Sequence, residues 1–248
     1  PVSHGCTAIQ KSVIECAYAG CNTIWIVAND DLAPVIKKVV GEWVYDPVYY
    51  TSYNKFSSEQ RKEIPIYYVP IHPKDRARRD SYGWSALYGA HSAWRAAFRI
   101  SKWITPEKYF VSFPMAAYNV YAARAYRKQI KHKTQNFFLS YEGQTIKDNK
   151  PIAFTFTGDD FKRCRRSVNK LTTREYLPPL ENQQYPTQKI PLKERWSART
   201  FPLQKIFSEV SHLNATDQPL DWFYELSTWD EYRAFLGSEY QIETPPSY

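Results

Sequence analysis

Near the start of the chain, an apolar run ends in acid. Thr23 to Ala28 reads TIWIVA, and Asn29, Asp30 and Asp31 follow it. Polar side chains at the carboxyl end of a buried strand lie where open α/β sheets hold ligands. Asp30 therefore either contacts a ligand or caps the turn. Positive charge is the second chemical feature. Arg76, Arg78 and Arg79 form one cluster, Arg124 to Lys133 a second and Lys162 to Arg166 a third. Lys and Arg total 33 against 25 acidic residues, a net of +8. That excess favours anionic partners such as nucleotides, sugar phosphates and nucleic acids. Basic clusters interleaved with aromatics are also a nucleic-acid pattern, and the 20 tyrosines keep that class open.

Other chemistries find no support in the spacing. Of the four cysteines only Cys16 and Cys21 are close, and no histidine stands at a zinc-site distance from them. They read as reduced, partly buried thiols of a cytosolic protein. His4, His72, His91, His132 and His212 are scattered and form no ligand pair. There is no Ser/His/Asp order and no phosphate-binding Walker loop. No apolar run reaches the ~18 residues of a membrane span. No secretion signal opens the chain, so the expected location is cytoplasmic.

These residues need elements to position them. Ile9, Val13, Ile14 and Ala17 share one helical face, with Thr7 as N-cap and Gly20 as the left-handed stop. TIWIVA is nearly continuous, as expected of a strand covered on both faces. Asp31 reads as the N-cap of a helix to about Val40, with Pro34 in its first turn. Ile64 to Val69 and Lys108 to Ser112 read as further buried strands, with a helix from Gly83 to about Ser101 between them. This rhythm predicts an α/β domain.

In the second half, NFFLSYEG and KPIAFTFTGDD suggest a β-hairpin. Asp159 and Asp160 read as caps of the basic helix that follows. Residues 172 to 195 are Pro-rich and polar, an extended excursion over the surface. RTFPLQKIFSEV and TWDEYRAFLGSE each read as helical, the latter capped by Thr228. The expectation is one domain, 1–248, with 130–195 as an inserted or lid-like subregion.

Four segments in this order resemble the sugar-phosphate nucleotidyltransferases. They are Pro1-Val2 with Ile9 to Val27; DSYGWSALYGA at 80 to 90; EKYFVSFPMAAYN; and LDWFYELSTWDEYRAF at 220 to 235. The resemblance implies a GT-A-like, three-layer αβα fold with a mixed, mostly parallel sheet. It implies transfer of a nucleoside monophosphate from an NTP to a sugar phosphate or similar acceptor, giving a sugar nucleotide and pyrophosphate. It implies Mg²⁺ held by two aspartates. It places nucleotide contacts at Gly83, Trp84 and Ser85 beside Asp30, a substrate contact at Lys150 of the Lys150-Pro151 pair, and a metal ligand at Glu225. No catalytic residue follows from it.

Each position also has a plainer reading. Gly83 can relieve crowding at a helix start, Trp84 can pack in the core, and Glu225 can be a solvated or ion-paired carboxylate. The chain departs from the family pattern in two places. Ser112, Phe113, Pro114 and Met115 stand where the family carries its first metal-binding Asp, and Glu225 replaces the second. The family's first strand and glycine-rich loop would precede Pro1. The rival reading is a non-catalytic descendant of the same fold that binds nucleic acid or a protein through the basic clusters.

Overall fold

A computed structural model of the chain describes residues 1–3, 5–52, 62–71, 81–172, 176–191 and 202–243. The cluster Arg76, Arg78 and Arg79 lies outside the described residues, as does part of the 172–195 stretch.

Local signals set the first elements. Helix α1 (Ala8–Ala19) opens on a capping box: Thr7 accepts from the Gln10 amide, and the Gln10 side chain accepts from the Thr7 amide. Such a cap is worth about 1 kcal/mol. The helix stops at Gly20, whose φ of 86° is left-handed. Strand β1 (Ile24–Ala28) follows. The next helix, α2 (Ala33–Val40), has Leu32 at its N-cap without a side-chain bond, so Asp31 does not cap it. The Asn29 carbonyl instead accepts the amides of Leu32 and Ala33, which starts the turn from the main chain.

Strand β2 (Trp43–Tyr45) and helix α3 (Pro47–Ser52) precede β3 (Glu63–Pro70). Helix α4 (Tyr82–Ile100) is capped by Ser81 and leads to β4 (Lys108–Val111). Then come β5 (Ala116–Ala117), α5 (Tyr121–Ala125), α6 (Arg127–Ile130), β6 (Phe137–Ser140) and β7 (Phe154–Thr157). Helix α7 (Gly158–Thr172) follows directly. The last elements are α8 (Leu203–Ile206), β8 (Thr216–Pro219), β9 (Tyr224–Glu225) and α9 (Trp229–Leu236). Within RTFPLQKIFSEV, the described residues from Pro202 onward are helical over Leu203–Ile206.

The fold is mixed α/β with open, mixed sheets. A three-stranded sheet has the order β1-β3-β2, a four-stranded sheet β4-β7-β6-β8, and β5 pairs with β9. The expectation of mostly parallel pairing is corrected. β1/β3 and β6/β8 are parallel, whereas β2/β3, β4/β7, β6/β7 and β5/β9 are antiparallel. The link between β6 and β7, residues 141–153, holds only the three-residue 3-10 helix Ile146–Asp148 and no crossover helix of the kind that usually joins a parallel pair. Those two strands, within the 130–195 stretch, lie at the centre of their sheet. Phe137, Phe138, Leu139 and Phe154 are fully buried. Phe154 meets Phe207 edge-on at 4.8 Å.

Val13 and Ala17 of α1 pack on Ile24, Ile26, Ile64 and Ile66 in a smaller core on the first sheet. Gly20 makes room for a cation: a Cβ there would sit 2.9 Å from Cζ of Arg127. That guanidinium donates to the carbonyls of Ala17 and Tyr18 and pairs with buried Asp46. Gly20→Ala would strain the left-handed backbone and displace Arg127. The expected loss is roughly 1–3 kcal/mol, read from urea unfolding; a change below ~0.5 kcal/mol would contradict the account.

Candidate functional site

Between β1 and β4 the chain encloses a cavity of about 1340 Å³. Every residue from Cys21 to Asn29 and from Ile104 to Met115 lines it, together with the first half of α4. Its two ends can be told apart by contacts. Lys108 Nζ donates to the carbonyls of His132 (2.7 Å) and Gln135 (2.5 Å). Lys131 in turn lies beside Gly20, just ahead of β1. At the other end of β4, Ser112 donates to Glu15 and the next residue's carbonyl, that of Phe113, accepts from Lys11, so the chain there moves away from Gly20 toward the start of α1. Since α1 runs back along β1, β4 runs in the same direction as β1. One mouth of the cavity therefore opens at the carboxyl ends of both strands.

That mouth holds hydroxyl, amide and carboxylate side chains. Ser81 caps α4 through the Trp84 amide (3.3 Å), and Gly83 and Ser85 follow in its first turn. The unpaired amides of this turn and the helix dipole make a positive end. Gly83 also serves packing, because a Cβ would lie 2.7 Å from Ile206 Cδ1. Asn29, Ser112, Asn149 and Glu225 line the same cavity. Asn149 has φ 69°, and its side-chain oxygen accepts the Leu203 amide at 2.8 Å. Glu225 is held in β9 opposite Ala116, and its Oε1 accepts from Ser227 Oγ at 2.7 Å.

The structure thus brings Gly83, Ser85 and Glu225 to one cavity and leaves three expected residues off its wall. Trp84 is buried in the larger core. Asp30 is exposed in the turn after β1, where its neighbour Asn29 takes the lining position. Lys150 sits with Nζ 5.7 Å from the Phe223 ring, while Asn149 and Pro151 line the cavity.

Beneath the mouth is a buried polar group that the sequence reading missed. Lys11 and Glu15 are 1% and 0% exposed and pair at 3.7 Å. Glu15 also accepts from Ser112 and from Tyr118 Oη (2.6 Å). Lys11 donates to the Phe113 carbonyl (3.3 Å) and lies 4.5 Å from the Tyr118 ring centre. Burial lowers the Lys11 pKa, against the pull of Glu15, and pushes the Tyr118 phenol well up, so it stays a donor. This group fixes the 112–118 turn. The only signal in sequence was a Lys-Glu pair at i,i+4, which usually marks a solvated face.

At the opposite end, Lys108, Lys131 and Lys133 line the cavity. Burial pushes the Lys108 pKa down to about 8. The second basic cluster is otherwise partly structural, since Arg127 is spent on Asp46 and on the end of α1.

The described side chains alone do not make a protein-held Mg²⁺ site. Among the described residues, no three His, Cys, Asp or Glu side chains group to hold a metal. Ser112, at the position of the family's Asp, gives its hydroxyl to Glu15. Mg²⁺ is held through one or two carboxylates together with water and substrate phosphates, and among the described residues the mouth offers one, Glu225. No disulfide joins the cysteines, and no described helix is long and apolar enough to cross a membrane.

A scan against protein-family models and a search of curated proteins each returned no match.

Proposed function

We propose that this chain is a nucleotidyltransferase-like protein of three-layer αβα, GT-A-like fold, binding a nucleotide at the carboxyl-end mouth. One observation carries the reading: the N-terminus of α4, with Ser81, Gly83 and Ser85, opens on the same cavity as Glu225 and Asn149. A helix N-terminus suits phosphate, and flanking amides and hydroxyls suit a ribose and base.

The reaction that fits is transfer of a nucleoside monophosphate. An oxygen of the acceptor phosphate bonds to the α-phosphorus of the NTP. The bond from that phosphorus to the bridging oxygen breaks, and pyrophosphate leaves with the electron pair. Positioning and charge neutralisation do most of the work in such a transfer. Here they fall to the α4 amides and the mouth's polar side chains.

Thermal unfolding tests the binding. At ~100 times its Kd, a nucleotide adds about 2.7 kcal/mol, which for this chain length moves Tm by roughly 5–10 °C. ATP, CTP, GTP and UTP, each with and without Mg²⁺, are the ligands to use, followed by NDP-sugars. If none of them shifts Tm, the reading fails.

A second reading has its own observation. His91, Trp94 and Phe98 stack in series along α4, at 6.1 and 5.0 Å, with Lys102 Nζ 5.8 Å from the Phe98 ring. Arg165 meets His91 at 3.1 Å. Trp103 is 96% exposed, and Arg95 and Arg99 are also exposed. Rings alternating with cations are a platform for single-stranded nucleic acid. Trp103→Ala is expected to weaken oligo-uridine binding by about 1–3 kcal/mol. Arg99→Ala should reduce the salt slope by ~0.7. Both are read by fluorescence anisotropy from ~50 to ~200 mM salt, and binding without salt dependence would exclude this mode.

A further inference from the structure

The end of α1 carries a different chemistry from the polar mouth. Gly20 N donates to the Ala17 carbonyl (3.1 Å), and Cys21 N donates to the Cys16 carbonyl (3.2 Å). With Gly20 left-handed, these two bonds make the Schellman ending of a helix. In it the residue after the glycine folds back over the residue five positions earlier, and the two side chains frequently form an apolar contact. Here those two side chains are cysteines.

Their thiols meet. The Cys16 thiol gives its hydrogen to the Cys21 sulfur, and this bond, ahead of burial, pushes the Cys16 thiol well above its usual range. Both cysteines are half-buried and line the same cavity. The other two are in a different state. Cys6 and Cys164 are buried, and burial pushes both thiols up, that of Cys164 to about 12. The Cys6 thiol is also given to the Thr7 carbonyl at 3.5 Å. Thiols that are partly exposed react, whereas those held in apolar surroundings are inert. The fold therefore sets Cys16 and Cys21 apart from the other pair.

We propose that Cys16 and Cys21 are a redox site: a dithiol that closes reversibly to a disulfide across the end of α1, by exchange with a low-molecular-weight disulfide such as oxidised glutathione. Cys16 keeps its proton the longer, so Cys21 attacks first. Its thiolate bonds to one sulfur of the oxidant, the S–S bond of the oxidant breaks, and one small thiolate leaves. The Cys16 thiolate then bonds to Cys21 Sγ, and the second small thiolate leaves. The protein pair gives up two electrons and two protons, and the oxidant takes them up as two small thiols. An excess of small thiol reverses both steps. The new bond ties the last turn of α1 to the residues that lead into β1, around the Gly20 turn beside which Arg127 runs. The inference does not depend on what the mouth binds.

The whole chain is equilibrated with mixtures of reduced and oxidised glutathione, quenched with acid, unfolded and alkylated. Cys16 and Cys21 share one tryptic peptide, residues 12–37, so their disulfide shows as that peptide two hydrogens lighter and unalkylated. The expected product is this peptide, with Cys6 and Cys164 still alkylated and all four cysteines alkylated again after dithiothreitol. At one glutathione ratio, the disulfide-to-dithiol ratio of the folded chain should exceed that of the chain in urea by at least ~tenfold, because the fold holds the sulfurs together while the unfolded chain must close the loop. Cys16→Ser should stop at the mixed disulfide of Cys21 with glutathione. Equal ratios in the folded chain and in urea would overturn the inference, since the bond would then owe nothing to the helix end. So would a wild-type chain that stops at the glutathione adduct, oxidation of Cys6 or Cys164 at the same glutathione ratio, or four alkylated cysteines at every ratio.

Discussion

Lys11→Met is expected to lower unfolding stability by about 3–5 kcal/mol. Breaking a buried ion pair from one side leaves the other charge uncompensated. In this variant Glu15, fully buried, would keep the hydroxyls of Ser112 and Tyr118 but lose its cation. The double variant Lys11→Met with Glu15→Leu should recover much of the loss, because replacing both charges by apolar groups is often close to neutral. Urea unfolding of the wild type, both single variants and the double variant closes a cycle that isolates the coupling. A Lys11→Met loss under ~1 kcal/mol would show that the pair is not desolvated as the structure has it. Because Glu15 and Lys11 hold Ser112 and Phe113, the single variants should also weaken the nucleotide binding proposed for the mouth. The pH dependence has a definite sign. Burial lowers the Lys11 pKa in the folded chain, so between that value and the unfolded ~10.4 the unfolded chain binds more protons. Stability attributable to Lys11 therefore rises with pH across that window.

Asp160→Ala is expected to cost a similar amount, about 3–5 kcal/mol, for a different reason. The carboxylate is fully buried and accepts from Asn136 Nδ2 (2.7 Å), Thr157 N (3.0 Å), Thr157 Oγ1 (2.9 Å) and Ser211 N (3.0 Å), as well as from Arg163. Removing it strands several buried donors at once, each worth about 1–3 kcal/mol and together less than their sum. Asp160 thereby ties the start of β6, the start of α7 and the 211 turn together. Burial pushes its pKa up, but the bonds from Asn136, Thr157 and Ser211 outweigh this and bring it below the usual value. Its contribution is therefore full above the unfolded pKa of ~3.9 and is lost as pH falls through the depressed native value. Asp160→Asn should flatten that acid limb of the stability curve. An unchanged limb would mean that Asp160 does not set it.

Several site residues gained or lost meaning only from their surroundings. Gly83 and Ser85 carried a helix-start pattern in sequence, and they do line the cavity. Trp84 lies between them but belongs to the core, since at helical spacing adjacent side chains point to different sides. Asp159 and Asp160 looked like caps. In the structure Thr157 takes that place, its Oγ1 accepting the Asp160 amide at 3.2 Å while Asp160 bonds back to Thr157. Both arrangements satisfy the same free amides, and residue type alone does not choose between them.

The sequence by itself determined what depends on neighbours a few residues away. Thr7 begins α1, Gly20 ends it, and the run to Ala28 is a strand, although its burial alternates where the continuous run predicts cover on both faces. Caps, left-handed stops and apolar periodicity are local, so these elements were legible. Tertiary structure alone decided which strand edges pair, that β1 and β4 face each other across a cavity, and that Lys11 and Glu15 are buried. The partners responsible, Phe113, Ser112 and Tyr118, stand about a hundred positions along the chain. An i,i+4 Lys-Glu pair carries no mark of whether water or a distant turn will cover it. Likewise, an apolar run shows that a strand is buried but not which chain lies against its edge, because main-chain hydrogen bonding is the same for every sequence.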